Sequence, residues 1–324
     1  MKRLMTVLLC AIPVPWAQAA TLHLAGSSQL SDSGYPYYSW GTELGKYMSA
    51  SHRVRNLAVS GASTKSYRES GKWKELIDGV EPGDFVGIQF GANDQKCSTE
   101  FYREKRWAAP DGLFRDILRE WVGEVRAKGA TPVLISHSGR CTFDAEGRKI
   151  VDKESAPGVT LGSYSASAKA LSEELGCAFV DMQTMVRELS ESLGREEAYK
   201  NYVISVGWRK GKDGEPSKDT THPIKSGAEA QSRLFRADVT RRGLSVAKLF
   251  QRPDFFQGCM QIFFSVLLFQ LFYYTILISS LIQKGNTVIY NIIHHMDRTA
   301  VHIQHNGITV AFILVNHVMF SFLI

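Results

Sequence analysis

The sequence predicts an α/β fold: a three-layer α/β/α sandwich around a five-stranded parallel sheet, of flavodoxin-like kind. Two observations point there. Short apolar runs alternate with segments whose apolar residues recur at three and four positions, a β-α-β-α order that calls for a parallel sheet with helices on both faces. Three of the apolar runs also end on glycine, which lets a chain leave a buried strand through a tight turn. Right-handed crossovers then distribute the helices over both faces.

The elements follow in order. TLHLAG (21–26), VRNLAVSG (54–61) and DFVGIQFG (84–91) are the three glycine-terminated strands. TPVLISHS (131–138) and CAFVDM (177–182) are the fourth and fifth. Helical spacing marks YSWGTELGKYM, DGLFRDILREWVGEVRAKG and YSASAKALSEELG between them, and SGAEAQSRLFRADVTRRG forms a last helix. The stretch 94–112 is polar and charged, and reads as a long loop beside the strand ends.

The two ends of the chain read differently from its body. Residues 1–19 carry Lys2 and Arg3, an apolar run and Ala17-Gln18-Ala19, the layout of a secretory signal peptide. Residues 20–249 then form one domain, long enough to bury a substantial core. After residue 249 the composition breaks. Residues 250–324 hold only three of the 38 Lys and Arg and two of the 32 Asp and Glu. A charge-free run at about 258–282 is long enough for a transmembrane helix, and the alternative reading of this tail is non-native read-through. The expected location is secreted or extracellular, with a membrane-anchored extracellular domain as the alternative if the tail is genuine.

The net charge of +6 is spread among mixed charges, so no nucleic-acid partner is expected. A monomer is expected. Of five cysteines, Cys97 and Cys141 each follow a predicted strand and are expected to pair as a disulfide; Cys177 reads as a buried thiol. No Cys or His spacing suits zinc, so neither a metal nor a cofactor is expected.

In a doubly wound sheet, ligands bind beyond the carboxyl ends of the strands. There the sequence places Ser27-Ser28-Gln29, then Gly61-Ala62-Ser63, then Asn93-Asp94, and a late segment adds KDTTHP with Asp219 and His222. These residue types meet the needs of acyl transfer. Ser28 is the candidate nucleophile, His222 the base that takes its proton, and Asp219 the carboxylate that holds the imidazole tautomer. The backbone N–H groups of Ser28 and Gly61 and the Asn93 amide are candidate oxyanion donors. Taken singly, each residue has a plainer role as a helix cap, a turn glycine or a loop residue. His23, His52 and His137 compete as the base, but none has an aspartate three residues earlier ahead of a helix-opening segment. Gln29, Trp107 and His137 are expected to line the substrate cleft, with Trp40 and Trp208 as further aromatic candidates.

With these blocks in view, the chain resembles the SGNH (GDSL-like) hydrolases, and among them the rhamnogalacturonan acetylesterase-like branch. AGSSQ, VSGAS, FGAND and DTTH stand where that family has its four blocks, over about residues 21–245. The resemblance implies Ser28 as nucleophile, Gly61 and Asn93 as oxyanion donors, and Asp219 with His222 completing a triad. It implies metal-free removal of O-acetyl groups from acetylated cell-wall polysaccharide through an acyl-enzyme. One position departs: the family has Asp before the nucleophile, and here it is Ser27, which loses a charge and an acceptor. A lipid or general carboxylesterase, and a catalytically impaired carbohydrate-binding protein, stand as the other readings.

Overall fold

Strands buried along their whole length must be covered on both faces. β1 (Thr21–Gly26) and β3 (Phe85–Gln89) are buried at every position. In the computed structural model, which describes residues 19–206, 219–250 and three strands between 300 and 323, these two lie side by side at the centre of a five-stranded sheet. β2 (Arg53–Asn56) flanks β1, while β4 (Thr131–Ile135) and β5 (Ala178–Val180) continue beyond β3, giving the order β2-β1-β3-β4-β5. Every pairing is parallel. The α/β class and the five parallel strands are as the sequence predicts.

Side chains alternate across the pleat, so each central strand feeds two cores. Leu22, Leu24, Phe85, Val133 and Ile135 point to one face and pack with Trp40, Phe235 and Val239. Val86, Ile88 and Leu134 point to the other and pack with Tyr67, Trp73, Phe114 and Trp121. Trp73 and Trp121 stack there with centroids 4.2 Å apart. Trp40 comes from α1 (Trp40–Glu43), Tyr67 from α2 (Thr64–Glu69), Trp73 from α3 (Lys72–Asp78), Phe114 and Trp121 from α5 (Leu113–Ala127), and Phe235 and Val239 from α8 (Lys225–Arg241); the described residues also form α4 (Glu100–Lys105), α6 (Leu161–Leu175) and α7 (Met182–Tyr199).

Local chemistry sets the boundaries that matter for the strand ends. Ser63 caps α2 in a reciprocal box: its Oγ accepts from Ser66 N–H, and Ser66 Oγ accepts from Ser63 N–H. Asp181 caps α7 by accepting from Thr184 N–H at 3.1 Å. The second strand is shorter than the predicted 54–61. Past Asn56 its backbone still follows β1, with Leu57 N–H and Val59 N–H donating to Leu24 and Gly26 carbonyls at 3.0 Å.

Trp40 and the ends of the chain need separate comment. Trp40 is fully buried, its indole N–H donating to Gln89 Oε1 at 3.2 Å, so it is core and not cleft. Residues 1–18, Trp208 and the charge-free run at about 258–282 lie outside the described residues. No helix among the described residues is long and apolar enough to cross a membrane. The chain forms two compact units, Met1–Arg252 and Pro253–Ile324. In the second, β6 (Ala300–His305), β7 (Ile308–Val315) and β8 (Val318–Leu323) form an antiparallel sheet in that order.

Gly26 closes β1 just before Ser27. A Cβ there would sit 2.5 Å from Leu30 Cδ1 and 2.9 Å from the Gln89 carbonyl oxygen. The strand carbonyl cannot yield without breaking the β1–β3 register. Gly26→Ala is therefore expected to destabilise the domain by about 1–3 kcal/mol, the usual cost of overpacking. Urea unfolding monitored by tryptophan fluorescence checks this; an unchanged midpoint contradicts it.

Candidate active site

The turn after β1 exposes one serine out of two. Leu30 N–H and Ser31 N–H both donate to the Ser27 carbonyl at 2.9 Å, curling the chain back on itself. Ser27 and Gln29 are thereby buried, and Ser28 between them is half-exposed. Ser27, at 3 % exposure, is closed to solvent, so of the two serines it is Ser28 that a substrate could meet.

His222 reaches this serine from the loop before α8. Its Nε2 lies 2.8 Å from Ser28 Oγ. Its Nδ1 faces both oxygens of Asp219, at 2.9 and 3.1 Å. Asp219 Oδ1 also accepts from Thr221 N–H and His222 N–H at 3.1 Å, an Asx turn that folds the loop so the aspartate and the histidine share one side. Burial raises the Asp219 pKa, but hydrogen bonds from the His222 ring and the two amides outweigh it, and the net shift is downward. An ionised Asp219 holds the proton on Nδ1 and leaves Nε2 free to accept from the Ser28 hydroxyl. Tyr37 sets the edge-on limit of the imidazole, with ring centroids 5.3 Å apart.

Of the groups expected to face an oxyanion, Asn93 bonds to the loop that carries Gly61. Gly61 has φ +80°, a conformation that favours glycine. The N–H groups of Ser28 and Gly61 meet no acceptor among the described residues. Asn93 is buried; its Nδ2 donates to the Ala62 carbonyl at 3.0 Å, and its Oδ1 accepts from Arg106 at 3.4 Å. That leaves one amide hydrogen of Asn93 unassigned.

Two groups at this site were given no role from sequence. Asp94 is fully buried and accepts from Thr64 N–H (2.8 Å), Thr64 Oγ (2.5 Å) and Gly91 N–H (3.0 Å). It ties the loop after β2 to the loop after β3. Its adjacency to Asn93 was the available signal. Arg106, inside the stretch expected to be loop, lies against Gly61 and Asn93; α4 brings it there, and nothing in its local sequence marked it.

Two expected cleft residues have other work. Gln29 spends its carboxamide on the protein: Nε2 donates to Gly139 and Thr221 carbonyls (3.2 and 3.0 Å), and Oε1 accepts from Ser138 N–H (3.0 Å). It is a brace between loops, not a substrate contact. His137 is 1 % exposed and its Nδ1 accepts from Gly139 N–H at 3.1 Å, so it sits beneath the surface. Burial first, then the charges of Arg140, His222 and Lys96, hold its pKa well below the ordinary histidine value. Trp107 is half-buried at the end of α4 and remains exposed enough to meet a ligand.

The expected Cys97–Cys141 disulfide is absent; both are free thiols. Cys97 Sγ turns to the Ser155 carbonyl at 3.2 Å, whereas Cys141 is buried against Ser190 and Tyr202. Each sulfur is thus committed to a different partner. Cys177 is also free, and half-buried.

Comparison with known proteins fits this geometry. Residues 24–230 match the GDSL-like Lipase/Acylhydrolase family. The chain belongs to that family, and to its rhamnogalacturonan acetylesterase-like group. It is a carboxylic ester hydrolase. It is 32 % identical over 224 residues to rhamnogalacturonan acetylesterase RhgT of Bacillus subtilis, covering 68 % of this chain and 90 % of that one. It is 22 % identical over 256 residues to a rhamnogalacturonan acetylesterase of Emericella nidulans, covering 76 % and 96 %. Among solved structures, protein YxiM of Bacillus subtilis superposes with a TM-score of 0.56 at 27 % identity, covering 70 % of this chain and 57 % of that one.

Two expectations follow. Burial pushes the Cys141 thiol up to about 11 and leaves it 2 % exposed, so iodoacetamide should alkylate Cys97 well before Cys141 in the native protein. Peptide mapping without reductant reads this, and a Cys97–Cys141 cross-link would contradict it. Burial also pushes Asp94 up to about 6, against about 3.9 in an unfolded chain. A raised carboxyl means the native state holds its proton more tightly. Its contribution to stability is full below about pH 4 and is lost as pH rises through 6. Relative to Asp94→Asn, the wild-type domain should lose about 2–3 kcal/mol across that window. Paired urea titrations at pH 4, 5, 6 and 7 check the slope; a constant difference contradicts it.

Proposed function

We propose that the protein is a secreted esterase that removes O-acetyl groups from cell-wall polysaccharide of the rhamnogalacturonan or pectin type. The observation that carries the reading is the continuous line from Ser28 Oγ to His222 Nε2 (2.8 Å) and from His222 Nδ1 to Asp219 (2.9 Å). The names of the two acetylesterase relatives support the substrate class.

Ser28 Oγ attacks the acetyl carbonyl while its proton passes to His222 Nε2. Asp219 stabilises the resulting imidazolium and keeps the ring oriented. The developing oxyanion meets the N–H groups of Ser28 and Gly61 and the Asn93 amide. Collapse expels the sugar hydroxyl, which takes the proton from His222. Water then hydrolyses the acetyl-serine with His222 again as base.

The reading predicts a graded mutational series. Ser28→Ala and His222→Ala should each lower acetyl-ester turnover by several orders of magnitude, because nucleophile and base act as a unit. Asp219→Asn should cost less. Asn93→Ala should cost about 3 kcal/mol of transition-state stabilisation, mostly in kcat. Acetate release from acetylated pectin fragments, set against release of long acyl chains from lipid esters, is the measurement. Full activity in His222→Ala, or a preference for long acyl chains, sinks the proposal.

A further inference from the structure

Arg106 sets a positive charge against a neutral amide. Its Nη1 donates to Asn93 Oδ1 at 3.4 Å, and its Nη2 stands 3.4 Å from where a Cβ at Gly61 would be. Arg68, Arg115, Arg119, Arg241 and Arg242 pair with carboxylates, whereas Arg106 has none within salt-bridge distance among the described residues. It is half-buried, and its guanidinium carbon lies over the Tyr102 ring, 5.2 Å from the centroid. The backbone fixes this placement. Thr99 Oγ1 caps α4 by accepting from Tyr102 N–H at 3.2 Å, and the helix closes with Arg106 N–H donating to the Tyr102 carbonyl at 2.9 Å. Ala108 N–H then donates to the Asp94 carbonyl at 3.1 Å, which ties the end of α4 back to the residue beside Asn93. No residue of α4 is buried, so Arg106 supports no core packing there.

The partner of that charge has two orientations open to it. A half-turn about the last torsion of an asparagine exchanges its oxygen and its NH2. As bonded here, Asn93 gives one amide hydrogen to the Ala62 carbonyl and has the second unassigned. The turned form would set its NH2 against the guanidinium and its oxygen against the Ala62 carbonyl, two repulsive contacts in place of two attractive ones. At 3.4 Å the Arg106 contact is long for a hydrogen bond, but attraction between a charge and an amide dipole persists at that range. The same charge draws electron density toward Oδ1 and makes the unassigned N–H a stronger donor.

We propose that Arg106 is a positioning residue of the esterase: it holds the Asn93 amide in its donor orientation and strengthens the hydrogen bond that Asn93 gives to the developing oxyanion. The inference rests on the esterase reading, in which Asn93 is an oxyanion donor. It adds a residue of the 94–112 stretch that acts through Asn93 rather than on the substrate.

The test is a double-mutant cycle in the full-length protein, read with 4-nitrophenyl acetate, a substrate with no sugar to contact. Arg106→Met should lower kcat by about tenfold or more and change KM less than about twofold, because the oxyanion forms only in the transition state. Arg106→Lys keeps a charge without the planar fork and should recover part of the loss. In the Asn93→Ala background, Arg106→Met should change kcat by less than about twofold, since the group it acts on is gone. Arg106→Ala serves if Arg106→Met does not fold. A purely structural role, or direct contact of Arg106 with the substrate, would give the same loss in both backgrounds or a change confined to KM, and either result overturns the inference. A fall in kcat for Asn93→Ala that Arg106→Met does not share overturns the inference alone. Full activity in Asn93→Ala overturns it together with the oxyanion role of Asn93.

Discussion

The side-chain amide of Gln29 is the interaction on which the candidate site depends. A parallel sheet delivers its strand ends to one edge, but the loops beyond that edge are joined only by what they hold in common. Gln29 bonds to Gly139 and Ser138 after β4 and to Thr221 in the histidine loop. Being next to Ser28, it fixes the serine against a histidine 194 residues away. The amide is buried, so its hydrogen bonds face no competition from water, and losing one would leave a polar group unsatisfied in the interior. Asp94 plays the matching part on the other side, linking Thr64 to Gly91 and thus the Gly61 loop to Asn93.

Two aspartates in one site carry opposite shifts, and the difference is physical. Asp94 has no cation in ion-pair contact among the described residues and burial dominates, raising it to about 6. Asp219 is partly wet and meets an imidazole and two amides, so it is lowered. The first positions backbone; the second is suited to stabilise a charge that forms on His222. Burial first, and then the charges of Arg140, His222 and Lys96, disfavour protonation of His137.

The sheet was readable because buried parallel strands are continuous apolar runs ending on glycine, as TLHLAG and DFVGIQFG do. The long amphipathic helices α5, α6 and α8 were readable from their spacing. Other elements were not. α2 and α3 are six and seven residues, set by caps such as Ser63 and a left-handed Gly71 rather than by an apolar stripe. α7 is polar and interrupted at Gly194, where φ is +76°. Ser28, Gly61, Asn93, Asp219 and His222 were legible because each sits in a short block at a strand end or a helix start. Gln29 was legible as a neighbour but not as a brace, since its partners come from positions over a hundred residues away. The cysteine pairing failed for a related reason: both cysteines follow strands, but side-chain direction, which strand order does not specify, sends each sulfur to a separate partner. Arg106, Arg140 and Lys96 belong to no sequence block and become a cluster only in three dimensions.

The proposed activity turns on Ser28, activated by His222, carrying the acetyl group. Rapid-quench mass spectrometry of the wild-type protein mixed with an excess of an activated acetyl ester tests it most directly. One acetyl group is expected on the peptide containing Ser28 during turnover, located on Ser28 by fragmentation, and no such adduct in the His222→Ala protein. Turnover with the acetyl group on Ser27 or on another residue, or with an equal Ser28 adduct in His222→Ala, would contradict it.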